Sequence, residues 1–190
     1  MEALKERILA DGVAIGTEIV KVDSFLNHQI DVALLDNIGQ EFARRFEGCG
    51  VTKILTVEAS GIAIACMAAR HFGNVPVLFA KKTAPNTMTD DFYGAEVKSF
   101  TKGTTSVVRV AKKYLNQSDR VLILDDFLAH GEAAVGMSEL VEQAGAVLVG
   151  AGAVIEKQFQ GGGRRLRERG CRVESLAIIE SIQNGTIRFA

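Results

Sequence analysis

The sequence has little of what would place it in a membrane, a disulfide-rich secreted scaffold or a nucleic-acid complex. No window approaches the ~18 consecutive apolar residues of a transmembrane helix, and the N-terminus lacks the apolar stretch of a signal peptide. Three scattered cysteines, Cys49, Cys66 and Cys171, predict reduced thiols in a cytoplasmic protein. A formal net charge of −1 supplies no basic field for nucleic acid.

Several common catalytic motifs are also missing. The chain has no G-x-x-x-x-G-K-[ST] phosphate loop and no G-x-S-x-G nucleophile elbow. The histidines His28, His71 and His130 do not form a metal-ligand spacing, so no resident metal site is predicted. Residues 150–155 (GAGAVI) partly match a dinucleotide fingerprint, but they lack the third glycine and lie inside a predicted strand.

What is present is typical of one globular α/β domain with a sizeable core, since 47% of the 190 residues are hydrophobic and 24% are charged. Residues 53–57 and 75–80 predict two strands joined by a helix, and this unit favours parallel pairing with a right-handed crossover. Further apolar strands are predicted at 121–124 and 147–155. The remaining predicted elements are helices at 2–11, 33–48, 132–144 and 164–169, and strands at 106–110, 173–179 and 186–189.

Residues 83–103 are polar and lie between two predicted strands. A loop of this length inside a compact domain is usually functional. We therefore predict a flexible lid at 83–103, part of which, around 97–100, forms a lid strand. The lid would add Tyr93, Lys98 and Lys102 to the site, and its closure would exclude water from the reacting centre.

The stretch 121–134 (VLILDDFLAHGEAA) carries the strongest functional signal. Its apolar residues predict a buried parallel strand, and Asp125 and Asp126 stand at the strand's carboxyl end. A small-residue turn then opens a helix whose N-terminus offers N–H groups to a phosphate. Because ligands of open α/β sheets bind at this edge and carboxylates accept hydrogen bonds from ribose hydroxyls, we predict a sugar-phosphate site. The alternative is a turn with two solvated aspartates.

This stretch resembles the diphosphoribose-binding motif of type I phosphoribosyltransferases. Five other segments resemble the bacterial xanthine phosphoribosyltransferase family, namely 21–31 (KVDSFLNHQID), 58–62 (EASGI), 99–102 (SFTK), 154–160 (VIEKQFQ) and 172–177 (RVESLA). The acidic pair alone identifies only the superfamily, whereas together with the segments around Asn27 and Lys157 it is much more specific. The similarity covers essentially the whole chain.

The resemblance implies a type I phosphoribosyltransferase fold, with a central parallel sheet flanked by helices. It implies a single domain over 1–190, with a small base-binding hood from about 13–31 and 156–190. A homodimer is expected, and Mg²⁺ is expected to bind together with the diphosphate substrate. Membranes and nucleic acids are not expected partners.

The resemblance also assigns residues to 5-phosphoribosyl 1-diphosphate. The acidic pair, Asp125 and Asp126, would bind the ribose hydroxyls as the catalytic carboxylates. The implied ligands of the phosphates are Ala129, His130, Gly131, Glu132, Ala133, Ser60, Gly61, Lys81 and Lys82. Taken without the resemblance, the two lysines would be an ordinary solvated strand end.

Two residues of the phosphate turn depart from the family pattern. His130 stands where related loops carry Thr or Asn, and it either donates to the phosphate or lies in solvent at the start of the helix. Glu132 stands where related loops carry Gly or Gln. Since a carboxylate repels a phosphate, we expect Glu132 to point outward and to serve through its backbone alone.

The implied purine site consists of Val20, Asn27, Lys157 and Phe159. Lys157 corresponds to the lysine that contacts the purine 6-oxygen, and an ammonium group suits a keto group better than an amino group because it only donates. Asn27 can read the 2-position or the ring nitrogens, and Val20 would line the pocket through its backbone. Phe159 would stack on the base or, alternatively, pack as an ordinary core aromatic.

The resulting prediction is a purine-salvage enzyme that joins xanthine to 5-phosphoribosyl 1-diphosphate, giving xanthosine 5′-monophosphate and pyrophosphate. Guanine or hypoxanthine is the nearer alternative substrate, because only the 2-position separates the three bases. A non-catalytic regulator that senses the diphosphate sugar is a second alternative. Such regulators usually carry a basic DNA-binding module, for which this nearly neutral chain has no room.

Overall fold

The computed structural model of the protein describes residues 1–82, 91–99 and 104–190. Within them the α-helices are α1 (Glu2–Asp11), α2 (Val32–Arg45), α3 (Gly61–His71), α4 (Glu132–Gln143) and α5 (Gly162–Glu168). The strands are β1 (Val13–Ile15), β2 (Ile19–Lys21), β3 (Lys53–Val57), β4 (Val77–Ala80), β5 (Phe92–Ser99), β6 (Thr104–Ala111), β7 (Arg120–Leu128), β8 (Val147–Lys157), β9 (Val173–Gln183) and β10 (Thr186–Phe189). A helix long and apolar enough to span a membrane is not found in the described residues.

β7 lies inside a six-stranded sheet with the order β10-β9-β8-β7-β3-β4. It is parallel to both of its neighbours, β3 and β8, and only the outer pair β9–β10 is antiparallel. Residues 121–124 are apolar and buried, which suits a strand covered on both faces. The predicted central parallel sheet is therefore confirmed. β7 continues to Leu128, past its predicted end, so that the acidic pair lies within the strand.

Helices cover both faces of the sheet. Successive side chains of a strand point to opposite faces, and Leu124 packs in an apolar cluster with α1, α2 and α3, whereas Ile123 packs in a second cluster with α4. The predicted α/β arrangement of flanking helices is thus confirmed. By the same alternation, the side chains of Asp125 and Asp126 leave β7 on opposite faces of the sheet.

Strands β5 and β6 form an antiparallel hairpin that packs against α4. The side-chain amide of Gln143 donates a hydrogen bond to the carbonyl oxygen of Gly94 at 2.9 Å, and Val97 is buried in the α4 cluster. Residues 92–99 of the predicted lid therefore form a regular strand, because alternate residues form an apolar face despite the polar composition. The rest of the predicted lid, 83–90 and 100–103, lies outside the described residues.

The residues predicted to form the hood have two different environments. The N-terminal part folds as the β1–β2 hairpin and a π-helical turn over Asp23–Asn27, in which Phe25 and Leu26 are buried. In the C-terminal part, α5 packs beside the start of α4, whereas β9 and β10 extend the central sheet. β9 also runs to Gln183, past its predicted end.

Candidate active site

A cavity of about 480 Å³ opens at the carboxyl end of β7. Its walls come from the second half of β7, from the middle of β8, from the turn before α4 and from the β5–β6 hairpin. Asp125 and Phe127 line it from β7, and Lys98 lines it from the hairpin. The cavity thus lies at the sheet edge where open α/β folds bind their ligands.

The carboxylates of the acidic pair are held by neighbouring backbone groups. The N–H of Asp126 donates to Oδ1 of Asp125, and the N–H of Phe127 donates to Oδ1 of Asp126, both at 3.0 Å. Desolvation and the adjacent Asp126 carboxylate raise the pKa of Asp125 well above its usual range, against the opposing charge of Lys82. The pair is therefore a region of concentrated negative charge that hydrogen-bond donors or a cation would stabilise.

The turn between β7 and α4 forms another wall of the cavity. All five predicted residues of this turn line it, namely Ala129, His130, Gly131, Glu132 and Ala133. Gly131 has a φ of 84°, a left-handed conformation that glycine adopts without strain, and α4 begins at the next residue. Because the first N–H groups of a helix lack intrahelical acceptors, this end of α4 can bind an anion.

The carboxylate of Glu132 has a cationic partner. Arg165 on α5 donates from its guanidinium group to Oε1 of Glu132 in an ion pair. This pairing offsets the negative charge that Glu132 brings to the turn.

The second predicted anion-binding turn, 58–61, lies beside the acidic pair. A Cβ atom at Gly61 would be 2.0 Å from Oγ1 of Thr56 and 3.2 Å from Oδ1 of Asp125, so a glycine is needed for this close approach. Ser60 directly precedes α3, and the peptide bond between Glu58 and Ala59 is cis. Neither Ser60 nor Gly61 lines the cavity itself, but the turn places the start of α3 next to Asp125.

The two predicted lysines after β4 lie in different environments. Lys82 lines the cavity, and its backbone N–H donates to Oε1 of Glu58 at 2.6 Å. Lys81 lines a separate cavity of about 520 Å³, together with Phe79 and Arg109. The structure therefore brings Lys82 to the acidic pair and places Lys81 elsewhere.

Two of the predicted purine-binding residues lie close to the end of β7. Nδ2 of Asn27 donates a hydrogen bond to Oδ2 of Asp126 at 3.1 Å. Nζ of Lys157 donates to the carbonyl oxygen of Glu18 at 2.7 Å and lies 5.3 Å from the centroid of the Phe127 ring. Burial lowers the pKa of Lys157 below its ordinary value. These contacts join the β1–β2 hairpin to the end of the sheet.

The other two predicted purine ligands, Val20 and Phe159, differ in exposure. Val20 is buried on β2, whereas Phe159 is 40% exposed in a short 3₁₀-helix after β8. Phe127 both lines the cavity and lies against the ammonium group of Lys157, yet it is not among the residues that the sequence selects. Its position directly after the acidic pair, at the ligand-binding edge of the sheet, is the signal that could have identified it.

The residues of this site suit a magnesium ion that arrives with a substrate. In the described part of the chain, no group of three or more His, Cys, Asp or Glu side chains is arranged to hold a metal. Mg²⁺, however, often takes only one or two carboxylates from a protein and completes its shell with phosphate oxygens and water. Asp125 and Asp126 can supply those carboxylates.

Comparisons with known proteins identify relatives over the full length. No family model matches the chain. The xanthine phosphoribosyltransferase of Ruminiclostridium cellulolyticum is 58% identical over 189 residues, which are 100% of this chain and 99% of that protein. The xanthine phosphoribosyltransferase of Clostridioides difficile is 55% identical and covers 100% of both chains.

Solved structures share the fold. The crystal structure of adenine phosphoribosyltransferase from Rhodothermus marinus has a TM-score of 0.74 to this chain, with 94% of this chain and 100% of that one covered at 21% identity. A second adenine phosphoribosyltransferase, from Thermoanaerobacter pseudethanolicus, has a TM-score of 0.68 at 24% identity and covers 78% of this chain and 81% of that one. These structural likenesses and the full-length relatives agree that the chain has the type I phosphoribosyltransferase fold and belongs to the xanthine phosphoribosyltransferase family.

Proposed function

We propose that the protein transfers the 5-phosphoribosyl group from 5-phosphoribosyl 1-diphosphate to N9 of xanthine, giving xanthosine 5′-monophosphate and pyrophosphate in purine salvage. The observation that carries this proposal is a single cavity in which Asp125 of the acidic pair meets the N-terminus of α4 and Lys82, with Asp126 adjacent to Asp125 on β7. The three features supply acceptors for ribose hydroxyls, donors for a phosphate and a cation for the leaving group. Family membership points to xanthine as the base.

The phosphoribosyl end is held on two sides. Asp125 and Asp126 accept hydrogen bonds from the ribose hydroxyls. The turn at 129–133 binds the 5-phosphate through backbone N–H groups and the dipole of α4. With both the hydroxyls and the phosphate fixed, the anomeric carbon has a defined position relative to the base, which removes much of the entropic barrier to reaction.

Departure of the diphosphate requires stabilisation of negative charge. As the bond from the anomeric carbon to the diphosphate oxygen breaks, the ribosyl centre becomes oxocarbenium-like and charge accumulates on the leaving group. Lys82 lies in the cavity to stabilise that charge, and the turn at 58–61 offers the N-terminus of α3. We propose that Mg²⁺ binds with the substrate on oxygens of the acidic pair, where it would offset the charge of the diphosphate.

The base is read by residues around the end of β7. The ammonium group of Lys157 donates to the 6-oxo group of the purine, and the ring of Phe127 beside it offers an apolar face to the base. Asn27, next to Asp126, reads the 2-position, where xanthine carries an oxo group and guanine an amino group. The purine thereby binds next to the anomeric carbon.

We further propose that the enzyme acts in the cytoplasm as a homodimer. Cys49, Cys66 and Cys171 are all free thiols in the structure, which supports a reducing compartment. The dimer is the arrangement implied by the family resemblance. Light scattering of the purified protein measures it directly.

The experiment that tests the reaction is an assay of nucleoside monophosphate formation from xanthine, guanine, hypoxanthine and adenine, compared by kcat/KM. We expect xanthine to give the highest value and adenine the lowest. A higher value for guanine or hypoxanthine would replace xanthine as the assigned substrate. Binding of the diphosphate sugar without turnover of any base would instead make the protein a regulator.

A further inference from the structure

The turn assigned to the 5-phosphate lies directly on α5. The N–H of Gly162 donates to the carbonyl oxygen of Ala129 at 3.0 Å. A Cβ atom at Gly162 would lie 2.4 Å from that oxygen and 2.6 Å from the backbone nitrogen of Gly131, closer than real Cβ contacts. The two backbones therefore touch with no side chain between them, and the position of the turn depends on α5.

The same helix supplies the partner of the acidic side chain in the turn. The guanidinium group of Arg165 is paired with the Glu132 carboxylate, and the two side chains are 42% and 21% exposed. Glu132 is the first residue of α4, so an unpaired carboxylate there would lie beside a phosphate bound at this helix end and repel it. Arg165 compensates that charge from the adjacent helix.

α5 is in turn fixed to the end of β8. Glu156 is 2% exposed and accepts hydrogen bonds from both terminal guanidinium nitrogens of Arg167, at 3.1 and 3.2 Å, and from the hydroxyl of Ser175, at 2.5 Å. Lys157 is the next residue of β8. The strand end that carries the purine-reading lysine therefore also anchors the helix that supports the phosphate turn.

We propose that Arg165 is a positioning residue for 5-phosphoribosyl 1-diphosphate. It acts through Glu132: it holds this side chain and offsets its charge, so that the N–H groups of the turn can bind the 5-phosphate. This inference rests on the proposed function and adds α5 to the elements that determine affinity for the diphosphate sugar. Because Arg165 acts on the phosphate end, it affects binding of this substrate and leaves xanthine binding and kcat unaffected.

The test is a double-mutant cycle at Arg165 and Glu132 in the full-length enzyme, with the KM for each substrate and kcat measured for every variant. Arg165→Met exposes the phosphate to the Glu132 charge and should raise the KM for the diphosphate sugar about three- to tenfold, with kcat and the KM for xanthine nearly unchanged. Glu132→Gln leaves the Arg165 charge uncompensated and should lower the KM for the diphosphate sugar. The double variant should return this KM to within about twofold of the wild-type value. Arg164→Met is the matched control, because Arg164 lies on the same helix and pairs with Glu168 instead.

A purely structural ion pair predicts different results for Glu132→Gln and for the double variant. If the pair only fixed α5 against α4, Glu132→Gln would raise the KM for the diphosphate sugar as Arg165→Met does, and the double variant would not recover; either result overturns the proposal. Should Arg165→Met fail to fold, the direction in which Glu132→Gln changes the KM for the diphosphate sugar still distinguishes the two explanations. Turnover of xanthine by the wild-type enzyme tests the proposed function separately, so a failure of one inference is not mistaken for a failure of the other.

Discussion

The side-chain amide of Asn27 donates a hydrogen bond to Oδ2 of Asp126 at 3.1 Å, although 99 positions separate the two residues. Asn27 ends the π-helical turn that follows β2, and Asp126 belongs to the acidic pair on β7. The bond connects a residue expected to read the purine with a residue expected to bind the ribose. A change at Asn27 should therefore affect both substrates.

Asn27→Ala should lower kcat/KM for xanthine by roughly tenfold, which corresponds to the loss of one hydrogen bond to the base, and should change the ratio of kcat/KM for xanthine to kcat/KM for guanine. Since Asp126 also loses a donor, the KM for the diphosphate sugar should rise by about two- to threefold. Steady-state kinetics with each base measures both effects. Gln29→Ala, which removes an exposed amide two residues away, is the control. If the ratio of kcat/KM for xanthine to that for guanine did not change, Asn27 would not be part of the purine site.

Lys157→Met should lower kcat/KM for xanthine by about ten- to a hundredfold, because a hydrogen bond from a charged donor is lost. The difference in kcat/KM between xanthine and adenine should become smaller, since the ammonium group that discriminates against the 6-amino group is lost. Lys21→Met, which removes an exposed lysine at the end of β2 that pairs with Asp23, should leave that difference unchanged. If Lys157→Met kept both the wild-type kcat/KM for xanthine and the wild-type difference from adenine, the base would bind elsewhere.

Phe127→Ala should raise the KM for xanthine by about tenfold, because stacking of a base on an aromatic ring contributes roughly 1–3 kcal/mol. The same substitution at Phe159, whose ring is partly in solvent, should have the smaller effect. Phe127→Leu keeps an apolar surface and should recover part of the loss. A larger effect at Phe159 would return the stacking role to the residue that the family resemblance selects.

The strand β7 and its acidic pair could be predicted because the signal is local. A buried apolar run, two carboxylates and a turn of small residues are contiguous in the sequence, and each has a direct structural meaning. The different positions of Lys81 and Lys82 also had a local signal, since consecutive residues of a chain that leaves a strand in extended conformation point to opposite sides. Only one of the two could face the cavity.

Other features depend on packing between distant segments. The Asn27–Asp126 bond and the Glu132–Arg165 pair have no local signal, because they depend on how the β1–β2 hairpin and α5 pack on the sheet. Gly161, Gly162 and Gly163 predict a break in the chain ahead of the helix at 164–169, yet α5 begins at Gly162, where the absence of a side chain allows contact with the phosphate turn. The polar composition of 83–103 likewise limited the predicted lid strand to about 97–100, whereas β5 begins at Phe92 and alternates apolar with polar residues.

Asp125→Asn should make the protein more stable at neutral pH while it lowers activity. The raised pKa of Asp125 means that the folded state binds a proton more tightly than the unfolded chain, so the free energy of unfolding falls as pH rises from about 4, the unfolded value, through the raised native pKa. Each pKa unit of the shift corresponds to about 1.4 kcal/mol. The asparagine is neutral at every pH and keeps an oxygen that accepts the N–H of Asp126.

Thermal unfolding of both proteins between pH 4 and pH 8 measures this effect. The Tm of Asp125→Asn should exceed that of the wild type at pH 7, by about 2–4 °C for each kcal/mol, and the difference should shrink as the pH is lowered toward 4. Turnover should fall on the order of tenfold or more, because the variant loses a charged acceptor for the ribose. Glu142→Gln, on the exposed side of α4, should show no such gain in Tm. A lower Tm for Asp125→Asn at pH 7 would mean that the Asp125 carboxylate stabilises the fold. It would contradict the inference that this charge destabilises the protein while it serves to bind the substrate.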